Sequence, residues 1–217
     1  MKRRHLARTD ARATIRLDGK ALVVSPVSQD KDARVGHVPG GMGRGYKPHA
    51  AVAGDGKVAD FALLPLNRHE MPVARELIGI GHLLRPGTLV FADGNYDAHR
   101  LHKGVDARGG WLVCRPRRGG ARRRVGGGHP VTRRQMGPAR RRLIDLWDQH
   151  PEAMEKVYRR RDQIERVFGN LTRIPGLLGP LPAFVPGLVR VRVRRWVTAK
   201  INLYHARIDV IKVARMG

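Results

Sequence analysis

Thr88-Leu89-Val90-Phe91-Ala92 is a short, wholly apolar run that stops at Asp93-Gly94. Continuous apolar runs of this length suit a strand buried on both faces, and such strands belong to sheets covered by helices on each side. The flanks agree. Residues 70 to 84 carry Met71, Val73, Ala74, Leu77, Ile78 and Leu83 at helical spacing, and Pro86-Gly87 ends that pattern. After the run, Asp97 is placed to cap a helix over 98 to 106, and Trp111 to Cys114 reads as a further strand. An acid at the C-terminal end of a buried strand is where α/β active sites collect, so Asp93 is the first candidate for chemistry.

Upstream the period changes. Residues 14 to 25 alternate apolar and polar side chains around Asp18-Gly19, the signal of a tight β-hairpin, which puts Asp18 at a strand end. A Gly-rich loop is expected from Gly36 to Gly45, a flexible connector that lacks the setting and the lysine of a phosphate-cradling loop. Then come a strand over 45 to 53, which contains Pro48, a turn at Gly54-Asp55-Gly56, and a strand over 58 to 64. Three antiparallel strands followed by alternating α and β elements predict a mixed α/β sheet with flanking helices.

Downstream, residues 115 to 142 are crowded with arginine among glycines, predicting a basic insertion at about 115 to 137. Helices are expected from 138, again over Glu152 to Leu171, and finally over about Leu188 to Val213 beyond a Pro/Gly stretch. The 217 residues hold 43 Lys and Arg against 18 Asp and Glu, a formal charge of +25, with 41% hydrophobic residues, enough for a core. Such an excess of cations repels itself unless a polyanion relieves it, and nucleic acid is the expected partner. Cys114 is the only cysteine, which excludes an intrachain disulfide and a cysteine-based zinc cluster. With no long apolar stretch and no signal-peptide core, a cytoplasmic protein that avoids membranes is expected.

In-line phosphodiester chemistry needs a few carboxylates on rigid elements to hold divalent ions. Asp18 and Asp93 meet that need if their strands are neighbours. Asp18-Gly19 is also a common turn dipeptide, and Asp30 and Asp32 are its rivals, on a loop that is a poorer platform. On a continuous helix at 100° per residue, Val157, Ile164, Phe168 and Leu171 form one stripe, and Tyr158, Arg161, Glu165 and Thr172 line its edge. Glu165 is then either a third ligand or the solvated i, i+4 partner of Arg161.

These residues carry a resemblance. Leu17-Asp18-Gly19-Lys20, the Ser28 to Arg34 segment, Gly45-Tyr46-Lys47-Pro48-His49, Ala92-Asp93-Gly94-Asn95-Tyr96-Asp97 and the Tyr158, Arg161, Glu165 set are similar to the DDE transposases of bacterial insertion sequences, in their Tyr-Arg-Glu subgroup. The resemblance covers nearly the whole chain, and Arg194 to Lys200 also fits. It implies a ribonuclease H-like catalytic domain over 14 to 174, behind a basic tail over 1 to 13 and ahead of a linker and C-terminal helix over 175 to 217 that packs on the core. It implies Asp18, Asp93 and Glu165 as catalytic ligands of two Mg²⁺ or Mn²⁺ ions. Transposon-end and target DNA are the implied partners, with a homodimer on DNA in a nucleoid-associated bacterial setting. The DNA contacts implied or suggested by charge are Tyr158, Arg161, Arg173, Lys47, Arg117, Arg118, Arg122, Arg123 and Arg124. Where the family helix often reaches a lysine seven residues after the glutamate, this chain has Thr172 beside Arg173. Relatives also carry an N-terminal region that helps bind transposon ends, so a remnant that binds DNA without transposing is the alternative expectation.

Overall fold

The computed structural model describes residues 14–24, 28, 30–79, 83–117, 136–173 and 190–214. The tail over 1 to 13, the insertion from 118 to 135 and the stretch from 174 to 189 lie outside the described residues, as does the start of the last expected helix. The chain forms two compact units, one of Met1–Leu17 and Glu70–Asp162, the other of Asp18–His69 and Gln163–Gly217.

In the first unit, β1 (Thr14–Gly19), which belongs to this unit as far as Leu17, pairs in parallel with β6 (Leu89–Phe91), which pairs in parallel with β7 (Trp111–Val113). The wholly apolar run is the middle of this set, and Val90, Phe91 and Ala92 are fully buried. A parallel return from β6 to β7 needs a crossover, supplied by α2 (His99–Asp106), which buries Leu101, His102 and Val105. Helix α1 (Glu70–Gly79) buries Val73 and Ala74. Helices α3 (Pro138–Gln149) and α4 (Pro151–Tyr158) each begin with proline, whose missing N–H is harmless in a first turn. Trp147 of α3 donates its ring N–H to the Cys114 carbonyl at 3.0 Å and meets the Tyr158 ring edge-on at 6.0 Å.

In the second unit, β2 (Leu22–Val23), β3 (Arg34–Val38) and β5 (Val58–Pro65) all pair antiparallel with the long β4 (Gly41–Ala53). Helices α5 (Asp162–Arg173) and α6 (Arg190–Ala214) supply Ile164, Val167, Phe168, Leu171, Val193, Val197, Ile201 and Tyr204 to the same core as Leu22, Tyr46, Val52, Val58 and Leu63.

Three sequence expectations change. Asp18-Gly19 does not turn a hairpin: β2 pairs with β4, and Lys20 donates its amide to the Pro48 carbonyl at 3.0 Å. The expected Gly-rich connector is the β3–β4 hairpin. Its turn is Pro39-Gly40, with Gly40 at φ +89°, the Pro-then-positive-φ-Gly order of a type II turn. Finally, the helix expected over Glu152 to Leu171 is interrupted by a 3₁₀ turn at Arg159–Arg161. A 3₁₀ turn advances with 3 residues per turn rather than 3.6, so the single arc drawn through Tyr158, Arg161 and Glu165 loses its phase.

Candidate active site

Asp18 is half-buried near the end of β1, and one carboxylate oxygen accepts the Gly19 amide at 2.8 Å. A side chain at Gly19 has no room, because its Cβ would fall 2.8 Å from Lys47 Cδ and 3.1 Å from His49 Nδ1. The Lys47 stem therefore lies along Gly19. The centre of β1 is less alternating than its sequence: Ile15, Arg16 and Leu17 are all buried. Arg16 is accommodated because its Nε donates to the Arg160 carbonyl at 2.6 Å and its guanidinium lies over the Phe91 ring.

Asp93 follows β6 and caps a short 3₁₀ turn at Gly94–Tyr96. Its Oδ1 accepts the Asn95 amide at 2.7 Å and its Oδ2 the Asn95 side-chain amide at 3.1 Å. Both oxygens are thereby oriented while the carboxylate stays part-exposed. The register of the parallel pair sets Thr14 against Leu89, Ile15 against Val90 and Arg16 against Phe91. Asp18 and Asp93 each follow the last paired residue of their own strand by two positions.

The acid expected to cap α2 does something else. Ala98 is the N-cap of that helix, and the Asp97 carboxylate, wholly buried, accepts four hydrogen bonds. Arg140 forks onto it from α3 with Nε to Oδ1 at 2.7 Å and Nη2 to Oδ2 at 2.6 Å. The Arg117 amide reaches Oδ2 at 2.8 Å, and His102 Nε2 lies 3.1 Å from Oδ1. Burial pushes this carboxyl up, but the bonds from Arg140, His102 and the Arg117 amide outweigh it and hold Asp97 well below the usual carboxylate range. Sequence reasoning missed this role because Arg140 stands 43 residues away, beyond the basic insertion.

Cys114 joins the same cluster, its sulfur 4.0 Å from His102 Nε2. Asp97, His102 and Cys114 have ligand atoms within 4.8 Å of one another, the spacing of a metal site. The chemistry of the set does not fit a metal. Without an ion, burial, reinforced by the Asp97 charge, pushes the Cys114 thiol pKa far up. The guanidinium of Arg140 already covers both Asp97 oxygens.

Glu165 is exposed on α5, whose neighbouring Ile164, Val167 and Phe168 are buried. Tyr158 is only 8% exposed; besides Trp147, its ring meets the Arg115 guanidinium at 5.2 Å, and Arg115 pairs with Glu155 at 2.7 Å. Burial raises the Tyr158 hydroxyl pKa, while the Arg161 and Arg115 charges act in the opposite sense. Arg161 is half-buried in the 3₁₀ turn. Arg117 donates to the Asn95 side-chain oxygen. Arg173 closes α5, but its side chain, like that of Thr172 and like Arg118, Arg122, Arg123 and Arg124 as a whole, lies outside the described residues.

The rivals of Asp18 have structural work. Asp30 is buried, takes the Tyr46 hydroxyl at 2.5 Å on Oδ2 and the Asp32 amide at 2.9 Å on Oδ1. Arg44 clamps the same loop through the carbonyls of Ser28 at 2.8 Å, Ala33 at 3.0 Å and Asp30.

No helix among the described residues is long and apolar enough to cross a membrane. No curated protein and no solved structure matches the chain. The family described as transposase DDE domain matches residues 12–178, which span the seven strands and helices α1 to α5 of the described residues. Parallel and antiparallel strands with flanking helices are compatible with the ribonuclease H-like fold of that family. With most of its length matched, strands and acids included, this chain belongs to the transposase DDE domain family.

Proposed function

We propose that the chain cuts and joins DNA at transposon ends, with Asp18, Asp93 and Glu165 holding two Mg²⁺ or Mn²⁺ ions. The supporting observation is the parallel pairing of β1 with β6, since Asp18 near the end of β1 and Asp93 just after β6 each follow the last paired residue by two positions. The donor set is of hard oxygens only, and Asp18 and Asp93 keep partly exposed carboxylates oriented by neighbouring amides. Hard divalent ions take such ligands and leave their remaining positions to water and phosphate oxygens. When bound, the ions activate the attacking oxygen and stabilise the leaving one.

In this reading, water displaces the 3′ oxygen of the transposon-end phosphodiester, leaving a 3′ hydroxyl and a 5′ phosphate. That hydroxyl then attacks a target phosphodiester, forming one phosphorus–oxygen bond and releasing another 3′ oxygen, so no covalent protein–DNA link is needed. Arg161, Arg173, Lys47, Arg117 and the insertion arginines Arg118, Arg122, Arg123 and Arg124 hold backbone phosphates, which positions DNA without reading its sequence. Tyr158 borders the cleaved strand, and two chains act together on paired ends.

Asp93→Asn is the test. It keeps the shape and the capping oxygen but removes the charge, so Mn²⁺-dependent nicking of end-containing DNA is expected to be lost while DNA affinity stays within about twofold of the parent. Cleavage by that variant at the parent's rate overturns the assignment. A parent protein that binds DNA but never nicks it under Mg²⁺ or Mn²⁺ is the DNA-binding remnant instead.

A further inference from the structure

We infer that Asp97 is a positioning residue for Asp93: with Arg140, Arg117 and Asn95 it forms a latch that fixes the carboxylate of the turn after β6. The inference rests on the reading of Asp93 as a metal ligand. Its geometry is a continuous set of hydrogen bonds within the first unit. Arg140 grips both oxygens of Asp97. Asp97 in turn accepts the Arg117 amide, and the Arg117 guanidinium donates to the Asn95 side-chain oxygen. Asn95 spends its backbone and side-chain N–H groups on the two oxygens of Asp93. Every bond in the series has a defined direction, so rotating the Asp93 carboxylate breaks at least one of them.

The placement has a physical logic. The buried ion pair stands four residues along the chain from Asp93, at Asp97, where Arg140 holds the turn after β6. Asn95, which is neutral, carries the orientation the rest of the way. Ligand-orienting partners of this kind typically alter metal affinity or activity by roughly 10–100-fold when removed.

Two variants test the latch, with Mn²⁺ binding read directly from the free-ion electron paramagnetic resonance signal, without any turnover. Asn95 is exposed, so Asn95→Ala removes the bond to Asp93 Oδ2 at little risk to folding. Asp97→Asn removes the charge that Arg140 grips, and its fold is checked by far-ultraviolet circular dichroism. Mn²⁺ affinity about tenfold or more weaker in Asn95→Ala, and in Asp97→Asn where it folds, with DNA affinity unchanged, supports the latch. Arg140→Lys, which keeps the charge but loses the fork, is expected to fall between Asp97→Asn and the parent. Mn²⁺ affinity within twofold of the parent in Asn95→Ala overturns the latch alone, provided Asp93→Asn abolishes binding. Unchanged Mn²⁺ binding in Asp93→Asn overturns the metal-ligand reading and the latch with it.

Discussion

His205 is buried on α6 with the Val58 amide donating to its Nε2 at 3.0 Å, so the ring must be neutral to accept. Burial pushes its pKa below the ordinary histidine value, helped by the Lys57 charge and opposed by Asp55 and Asp209. The sign follows from that direction. A histidine with a lowered folded pKa contributes stability above its unfolded value of about 6.5 and loses it as the solution acidifies through the folded pKa. The melting temperature of the protein is expected to fall from pH 7.5 to ~5.5, and His205→Gln, which offers Oε1 to the same amide but does not titrate, is expected to flatten that fall. A slope unchanged in the glutamine variant shows that other groups set it. At this scale the sequence is least legible where a partner is remote. Arg140 and Asp97 are 43 residues apart, and Val58 and His205 are 147 apart. Nothing local marks either pair, whereas Asp93 betrays itself by ending an apolar run.

Element by element, legibility follows hydrophobic period. The run at 88 to 92, the crossover helix and the β4–β5 hairpin all stand where apolar spacing and turn residues put them. The failures come from glycines with two meanings. Gly36, Gly43 and Gly45 read as a connector, yet they lie inside paired strands, and at Gly36 and Gly45 backbone passes too close for a side chain. A Cβ on Gly36 would sit 2.6 Å from the Leu66 carbonyl oxygen, and one on Gly45 only 2.0 Å from that of Leu22. The neighbour in each case is backbone, which cannot rotate away. Gly45→Ala is therefore expected to push β2 off β4 and to lower stability by about 1–3 kcal/mol, the range for forcing atoms into a packed interior. Urea unfolding measures it, and a loss below ~0.5 kcal/mol, the size of an ordinary surface change, means β2 yields freely. The interrupted helix has a related lesson: helical wheels assume one period, and the arginines at 159 to 161 give no apolar mark by which a 3₁₀ turn is distinguished from an α-turn.

For the whole molecule the governing quantity is charge, and it makes opposite predictions for the free and the DNA-bound protein. The 18 acids cannot neutralise 43 Lys and Arg. Several acids are already committed to ion pairs, including Asp97 with Arg140, Asp106 with Arg142, Glu155 with Arg115 and Asp209 with Lys57. The remaining cations repel one another in the compact state, and salt screens that repulsion within a Debye length of about 10 Å at 0.1 M. Added NaCl is therefore expected to raise the melting temperature of the free protein. Bound DNA responds the other way. Each phosphate neutralised by a Lys or Arg releases counterions, so the logarithm of affinity falls against the logarithm of salt with a slope near −0.9 per contact, and ~6–10 contacts weaken binding by roughly 10³–10⁵ between 50 and 200 mM. Asp93→Asn removes no cation, so it leaves this slope unchanged while removing cleavage, whereas Arg117→Ala reduces the slope by about one contact. Fluorescence anisotropy at a series of salt concentrations gives the slopes, and calorimetry of the free protein gives the melting series. A melting temperature that falls with salt means that internal ion pairs outweigh the surplus charge. An Arg117→Ala slope equal to the parent's means that its guanidinium, bonded to Asn95, serves the Asp93 turn and touches no phosphate.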